Sequence, residues 1–327
     1  MKRLLIGLLI LLALWLIADF CFGLRASKRA ADWEKEIRRD EQGLRVGCTP
    51  YASGPNDCEI ACLLVHGFAD SPLLWKDLGP VLTRAGHRIQ AIGLPGFNRP
   101  LEVMKKTTAA DWQNEGERAY RELAQDGKPV WIIAHSLGCA ITLNLTASKR
   151  IQPAGLVLLA PLIEVGNERS PVLTAKTWFQ VGSALLHFTD IIESIYPPDV
   201  HNPERVNELP RDVFIPRNIH AALFEVISGL SSRASKISAP MLMVVSPDDL
   251  VVDPTASISF FEQAGTPAAA RQLMTTRDAG HVIPIDYGWE EVALAIVRFI
   301  QDGPSPPVGP NLFDHTVVET EPEPADL

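Results

Sequence analysis

An α/β fold built on a doubly wound, mostly parallel sheet with an inserted helical cap is what the sequence predicts, from three observations. Short apolar runs alternate with amphipathic helical stretches between residues 60 and 302, and strand–helix alternation implies crossover helices on both faces of a parallel sheet. Each run is bounded by polar or turn residues, as buried strands are. The 327-residue chain is 46% hydrophobic, with Leu, Ile, Val and Ala spread along its length, so a sizeable core can be buried.

The chain begins with an unbroken apolar run over residues 4–18, and with Asp19 as its one charge the run continues to Leu24. About 20 residues suffice for a helix to cross a bilayer. Lys2 and Arg3 give it the positive start of a secretory signal, but small residues at the spacing of a cleavage site do not follow. An uncleaved single-pass anchor over 1–24 is therefore the first reading, a cleaved signal the second, and a buried core helix the third. Residues 25–59 are expected to form a charged, solvated helical stalk, densest over 27–39, and an N-terminal loop. On the side of the membrane the signals oppose one another. Arg25, Lys28, Arg29, Lys35, Arg38 and Arg39 outnumber Lys2 and Arg3, which draws the domain into the cytoplasm. The signal-like start points outward, as would a disulfide between Cys48 and Cys58 across their turn-rich loop; two free thiols are the alternative.

Strands are predicted over 61–65, 88–92, 130–134, 155–160, 241–245 and 271–275. Helices fit the gaps at 73–85, 111–125 behind a Thr108 cap, 137–149, 256–264 and 289–300. Residues 163–235 interrupt this alternation with a helical pattern punctuated by Pro197, Pro198, Pro203, Pro210 and Pro216, and read as the cap over a single α/β domain of residues 60–302. From 303 to 327 prolines mix with acidic residues, a composition expected to stay disordered.

The formal net charge of -9 argues against a nucleic-acid partner, which needs a surplus of Lys and Arg on one face. Five cysteines without a C-x-x-C pair suggest neither a metal site nor a disulfide scaffold.

Chemistry concentrates in four turns. Ala134-His135-Ser136-Leu137-Gly138 lies between a strand and a helix, where a serine with small neighbours can form the sharp elbow of a nucleophile. The Leu137 amide at the helix start would face a developing oxyanion. After the first predicted strand, His66-Gly67-Phe68 supplies a tight turn and the Phe68 amide as a second donor, with His66 shaping the loop. Asp248 and Asp249 follow the strand at 241–245, and either carboxylate is placed to orient an imidazole; Asp253 suits a helix cap. His281 follows the last strand behind Gly280, which lets the backbone bend toward the serine. His135 is expected to pack under the elbow, and His87, His187, His201, His220 and His315 to take surface or core roles.

Taken together, His66-Gly-Phe-Ala-Asp-Ser-Pro, the serine elbow, Asp249-Leu-Val-Val and Gly280-His-Val-Ile-Pro-Ile-Asp resemble the monoacylglycerol lipase and carboxylesterase branch of the α/β-hydrolase superfamily, often grouped under the serine aminopeptidase S33 name. The likeness covers about residues 60–302. It implies the α/β-hydrolase fold, Ser136 as nucleophile, His281 as general base and Asp249 rather than Asp248 as the acid, in the chain order of that superfamily. It further implies hydrolysis of a small, lipophilic ester through an acyl-enzyme, a cap that shapes the acyl pocket, and no cofactor or metal. Gly96-Phe97-Asn98 departs from the Gly-His-Gly turn common among relatives. Leu173, Trp178, Phe179, Val181, Leu185, Leu186 and Phe188 are expected to line the pocket, or else to bury the cap on the sheet. Thioester or peptide cleavage on the same residues and a catalytically silent membrane-tethered module are the rival functions.

Overall fold

A computed structural model describes residues 2–170 and 172–304. Nine strands are present among them: β1 (Tyr51–Ser53), β2 (Ala61–Val65), β3 (Arg88–Ile92), β4 (Val130–His135), β5 (Gly155–Leu159), β6 (Ile191–Glu193), β7 (Phe214–Pro216), β8 (Met241–Val245) and β9 (Arg271–Thr275). The helices are α1 (Lys2–Glu36), α2 (Leu78–Arg84), α3 (Leu101–Met104), α4 (Ala109–Ala124), α5 (Leu137–Ala147), α6 (Ala175–Leu185), α7 (Arg217–Ile227), α8 (Pro254–Gln263) and α9 (Trp289–Asp302). Seven strands form one sheet in the order β1-β3-β2-β4-β5-β8-β9, parallel except for β1. Every residue of β2, β4, β5 and β8 is buried. Strands covered on both faces need continuous apolar runs, which is why these four are found where predicted; β3 and β9, only partly buried, are found as well.

Helix ends follow local chemistry. Thr108 and Asp111 form a reciprocal capping box at the start of α4, and Trp112, Gly116, Ala119 and Leu123 put one stripe of that helix inward. Asp253 caps α8 by accepting from the amides of Thr255 (2.8 Å) and Ala256 (3.2 Å). The single helix predicted over 73–85 is instead a 3-10 turn, Pro72–Trp75, followed by α2. Pro80 has no N–H to give the preceding turn, so one helix cannot run through.

Three further expectations are corrected. The domain does not begin at residue 60, because β1 adds an antiparallel edge strand ahead of it, pairing Tyr51 with Ala91. The charged stretch after the apolar run is no free stalk. It continues the apolar run as one helix, α1, and docks on the body: Ala30 is buried, Trp33 packs on Phe214 at 5.6 Å, and Glu34 accepts the Leu101 amide at 2.7 Å. The cap is less helical than its pattern suggested. Between α6 and α7 the chain makes the antiparallel pair β6–β7, and the prolines keep 194–213 irregular. Cys48 and Cys58 are buried free thiols. The expected acidic tail lies, from residue 305 onward, outside the described residues.

Asp212, in the cap just before β7, is buried with Oδ2 accepting the Asn98 amide (2.7 Å) and Oδ1 given no partner by any described residue. Burial pushes its carboxyl up to about 6 from 3.8, against the Asn98 bond. The folded protein therefore holds a proton that the unfolded chain has released, so stability falls as pH rises from about 4 to about 6, by about 3 kcal/mol. Asp212→Asn is expected to match the parent in Tm at pH 4 and to exceed it by several degrees at pH 7. A Tm difference that stays constant over that range would contradict the linkage.

Candidate active site

Parallel strands deliver their C-terminal turns to one edge of the sheet, and there β2, β4, β8 and β9 bring four sequence-distant loops together. Ser136 follows β4 directly. Its backbone has φ 52° and ψ -116°, a strained conformation that costs on the order of 1–3 kcal/mol. Surrounding bonds hold it: the Ser136 amide donates to the Leu159 carbonyl (3.0 Å) and its carbonyl accepts from the Leu162 amide (3.2 Å). Gly138 is obligatory, since a Cβ there would lie 2.4 Å from the Val65 carbonyl oxygen. Ala134 fits as the other small residue, fully buried in β4.

His281 reaches Ser136 from the loop after β9. Its Nδ1 lies 2.7 Å from Asp249 Oδ2 and its Nε2 2.9 Å from Ser136 Oγ. Because ionised Asp249 only accepts, Nδ1 donates to it and Nε2 is left to accept the serine proton. Asp249 is buried, whereas Asp248 is exposed. Burial alone would raise the Asp249 carboxyl, but the adjacent His281 and the Val251 and Val252 amides outweigh it and hold the group below its ordinary 3.8. Those amides donate to Oδ1 at 2.8 and 2.9 Å.

Around this trio the other marked residues take supporting positions. Leu137 opens α5, so its N–H has no intrahelical acceptor. The Phe68 amide lies in the turn after β2, whose Gly67 is packed so closely that a Cβ would lie 3.1 Å from the Ser136 Cβ. His66 is buried and pushed down to about 4 by burial. As a neutral ring it accepts the Leu94 amide at Nε2 (3.0 Å) and donates from Nδ1 to the Gly67 carbonyl (2.9 Å), tying the turns after β2 and β3. His135, pushed down to about 3 by burial and by the facing His281, donates from Nε2 to the His281 carbonyl at 3.0 Å. In the departing turn, Phe97 stacks on Trp112 and meets Phe68 edge-on at 5.2 Å.

A cavity of about 410 Å³ descends to Ser136 and His281. Val165, Tyr196, Pro197, Leu209, Leu250 and Ile285 give it apolar walls, with Arg169 and Arg211 among its polar groups. The residues expected to line it do not: none of Leu173, Trp178, Phe179, Val181, Leu185, Leu186 or Phe188 borders the cavity. Nor do the members on α6 bury the cap on the sheet, because no residue of that helix is buried. Of α6 only Ala175 borders the cavity; the cap reaches the site through Val165, Gly166, Arg169 and Ser170 and through its irregular 194–213 segment. Among the described residues, no cluster of three or more His, Cys, Asp and Glu is arranged to hold a metal ion.

Two carboxylates join cap to site: Asp199, which the sequence does not mark, and Asp286, which closes the Gly280–Asp286 motif without an assigned role. Asp199 Oδ2 accepts the amides of Leu250 (2.9 Å) and His281 (3.0 Å), while Oδ1 takes Arg169 at 3.1 Å. Asp286 accepts the amides of Gly280 and His201 at 2.8 Å and of Asn202 at 2.9 Å. Asp199 thus positions the loops of both Asp249 and His281. Asp199→Ala is expected to lower kcat about 100-fold with little change in KM, since small misplacements of reacting groups cost about that much. Asp199→Asn, which keeps the carbonyl acceptor, should restore most of it. Equal loss in both variants would indicate that its charge, not its grip on the two amides, is what matters.

A family model described as serine aminopeptidase, S33 matches residues 57–286. The chain belongs to the serine aminopeptidase S33 family. This S33 chain is 27% identical over 243 residues to a thermostable monoacylglycerol lipase of Bacillus sp. (strain H-257), covering 74% of this chain and 89% of that one. It is 26% identical over 270 residues to a haloalkane dehalogenase of Psychrobacter cryohalolentis, covering 77% and 86%. Among solved structures, the monoacylglycerol lipase of Paleococcus ferrophilus superposes with a TM-score of 0.64 at 21% identity over 77% of this chain and 97% of that one. A soluble variant of the Saccharomyces cerevisiae monoglyceride lipase gives 0.66 at 16% identity, over 83% and 96%. These superpositions establish the α/β-hydrolase fold of this S33 member.

Proposed function

We propose that this S33 protein is a membrane-anchored serine esterase that cleaves lipophilic carboxylic esters through an acyl-enzyme. The observation that carries the reading is the unbroken hydrogen-bonded chain Asp249–His281–Ser136 at the floor of an apolar-walled cavity. In the cycle, His281 Nε2 takes the Ser136 proton as Oγ attacks the ester carbonyl carbon. The tetrahedral oxyanion accepts hydrogen bonds from the Phe68 and Leu137 amides. Protonated His281 then gives its proton to the departing alcohol, leaving acyl-Ser136. Water, deprotonated by His281, attacks the acyl carbon; the acid leaves, and the proton returns to Ser136 Oγ.

Asp249 keeps Nδ1 protonated and stabilises the imidazolium between the two steps. Monoacylglycerol lipases among the relatives support a lipid ester as substrate. A dehalogenase reading, prompted by another relative, needs a carboxylate nucleophile where this chain has Ser136. For the anchor, α1 holds a helix long and apolar enough to cross a membrane, formed by residues 4–24. Hydrolysis rates over a series of p-nitrophenyl esters and monoacylglycerols, with fluorophosphonate labelling in parallel, test the reading. Labelling with no turnover of any ester in the series would move it to thioesters or peptides; absence of labelling would leave a binding module.

A further inference from the structure

The apolar run of α1 is as long as a bilayer core is thick, yet part of it is occupied by the cap. Residues 4–24 span about 31 Å at 1.5 Å per residue, against a hydrocarbon core of about 30 Å. From Trp15 onward the helix is in contact with the body. The Trp15 indole donates to the Leu185 carbonyl (3.1 Å), and Phe20 meets Phe188 edge-on at 5.5 Å. Gly23 is notched so closely against the Phe188 carbonyl that a Cβ would lie 2.5 Å from its oxygen. Residues 4–14 alone clear the body, and they cover only about 16 Å. A helix so docked can fill the core only if the docked part of the cap lies at the depth of Trp15 to Gly23.

The junction is built for that depth. Asp19, the lone charge of the run, is 4% exposed. Its Oδ2 accepts the His187 (2.6 Å) and Phe188 (2.8 Å) amides, and its Oδ1 the Thr189 hydroxyl (2.7 Å). An acidic group in an apolar span is costly unless satisfied in this way, and here it also saturates cap amides that would otherwise face lipid. Beside it, Trp178, Val181 and Leu185 lie at helical spacing along α6 and are exposed together with Phe188. Ala175 at the start of α6 and Tyr196 after β6 also line the cavity.

We propose that Asp19 clamps the cap to the anchor so that α6 and Phe188 are seated in the outer part of the leaflet, and that the cavity draws its ester from that leaflet. This rests on residues 4–24 being an anchor. The occupant of the apolar face is lipid, and the substrates favoured are esters resident in a bilayer over the same esters dispersed in water.

The test uses the full-length chain in phosphatidylcholine vesicles, with Cys21→Ala removing the exposed thiol and nitroxides attached at Val181→Cys and, at the far edge of the sheet, Asp126→Cys. Collision with oxygen should exceed collision with an aqueous nickel chelate at 181 and fall below it at 126. Adding Asp19→Ala should shift the label at 181 toward the aqueous pattern; no shift would remove the clamp. Release of the unlabelled chain by carbonate would overturn the anchor, and this inference with it. Retention with an aqueous pattern at 181 would overturn the inference alone, and shielding from both reagents would put protein, such as a second copy, where lipid is proposed.

Discussion

Ser136→Ala is expected to abolish labelling by a fluorophosphonate and to lower kcat for a reactive p-nitrophenyl ester about 10⁶-fold, equivalent to about 8 kcal/mol of transition-state stabilisation. The size of the loss follows from removing the covalent route altogether: His281 would then have only water to activate. Residual turnover above the uncatalysed rate, by about 10³-fold, is expected from the oxyanion amides and from binding alone. The fold should survive the change. The two bonds that hold the elbow, to the Leu159 carbonyl and from the Leu162 amide, are made by the backbone, and alanine keeps the Cβ that the site already accommodates. Unchanged circular dichroism and Tm therefore accompany the expected loss. Labelling that continued at the full rate would take the nucleophile's role from Ser136.

How far the sequence discloses this arrangement depends on which interactions are local. The buried strands are legible because each is a run of about five apolar residues between turn residues, and a strand covered on both faces has no other way to look. The turns bearing Ser136 and Asp249 are legible for a related reason, since each follows such a strand; His281 follows β9, which is only partly buried, and all three fall on the same edge of the sheet. By contrast β1 is three residues long, with half-exposed Tyr51 and exposed Ala52 and Ser53, and carries no periodicity to read. The pair β6–β7 is equally short, and it exists only because residues 191–193 and 214–216 meet across twenty intervening residues.

Non-local contacts hide most. Asp199 is an unremarked residue of a proline-broken segment until the fold brings it within 3.0 Å of the His281 amide, 82 residues away. Asp19 looks in sequence like a blemish in an apolar run, and its three bonds to residues 187–189 give it a partner that no local pattern announces. Conversely, Trp178, Val181 and Leu185 of α6 announce burial by composition, and the structure leaves them exposed. Composition reports that a side chain avoids water; it does not say whether protein or lipid supplies the alternative.

Asp249→Asn is expected to lower kcat about 10⁴-fold, while Asp248→Asn stays within about threefold of the parent. The two aspartates are neighbours in sequence and unlike in setting. Asp249 is buried with Oδ2 2.7 Å from His281 Nδ1, and its other oxygen is occupied by the Val251 and Val252 amides. Those amides hold Oδ1, so an asparagine would keep its carbonyl there and turn its NH₂ toward Nδ1. His281 would then have to accept at Nδ1 and carry its proton on Nε2, the tautomer that cannot take the proton from Ser136. Asp248 is exposed, and its amide, not its carboxylate, is what the structure engages, donating to Ser246 Oγ at 3.2 Å. Raising the pH should recover part of the Asp249→Asn loss, as hydroxide substitutes for the missing base, and should leave Asp248→Asn unaffected. The comparison needs only kcat against pH for the two variants on one ester; equal losses, or a larger loss at Asp248, would reassign the acid.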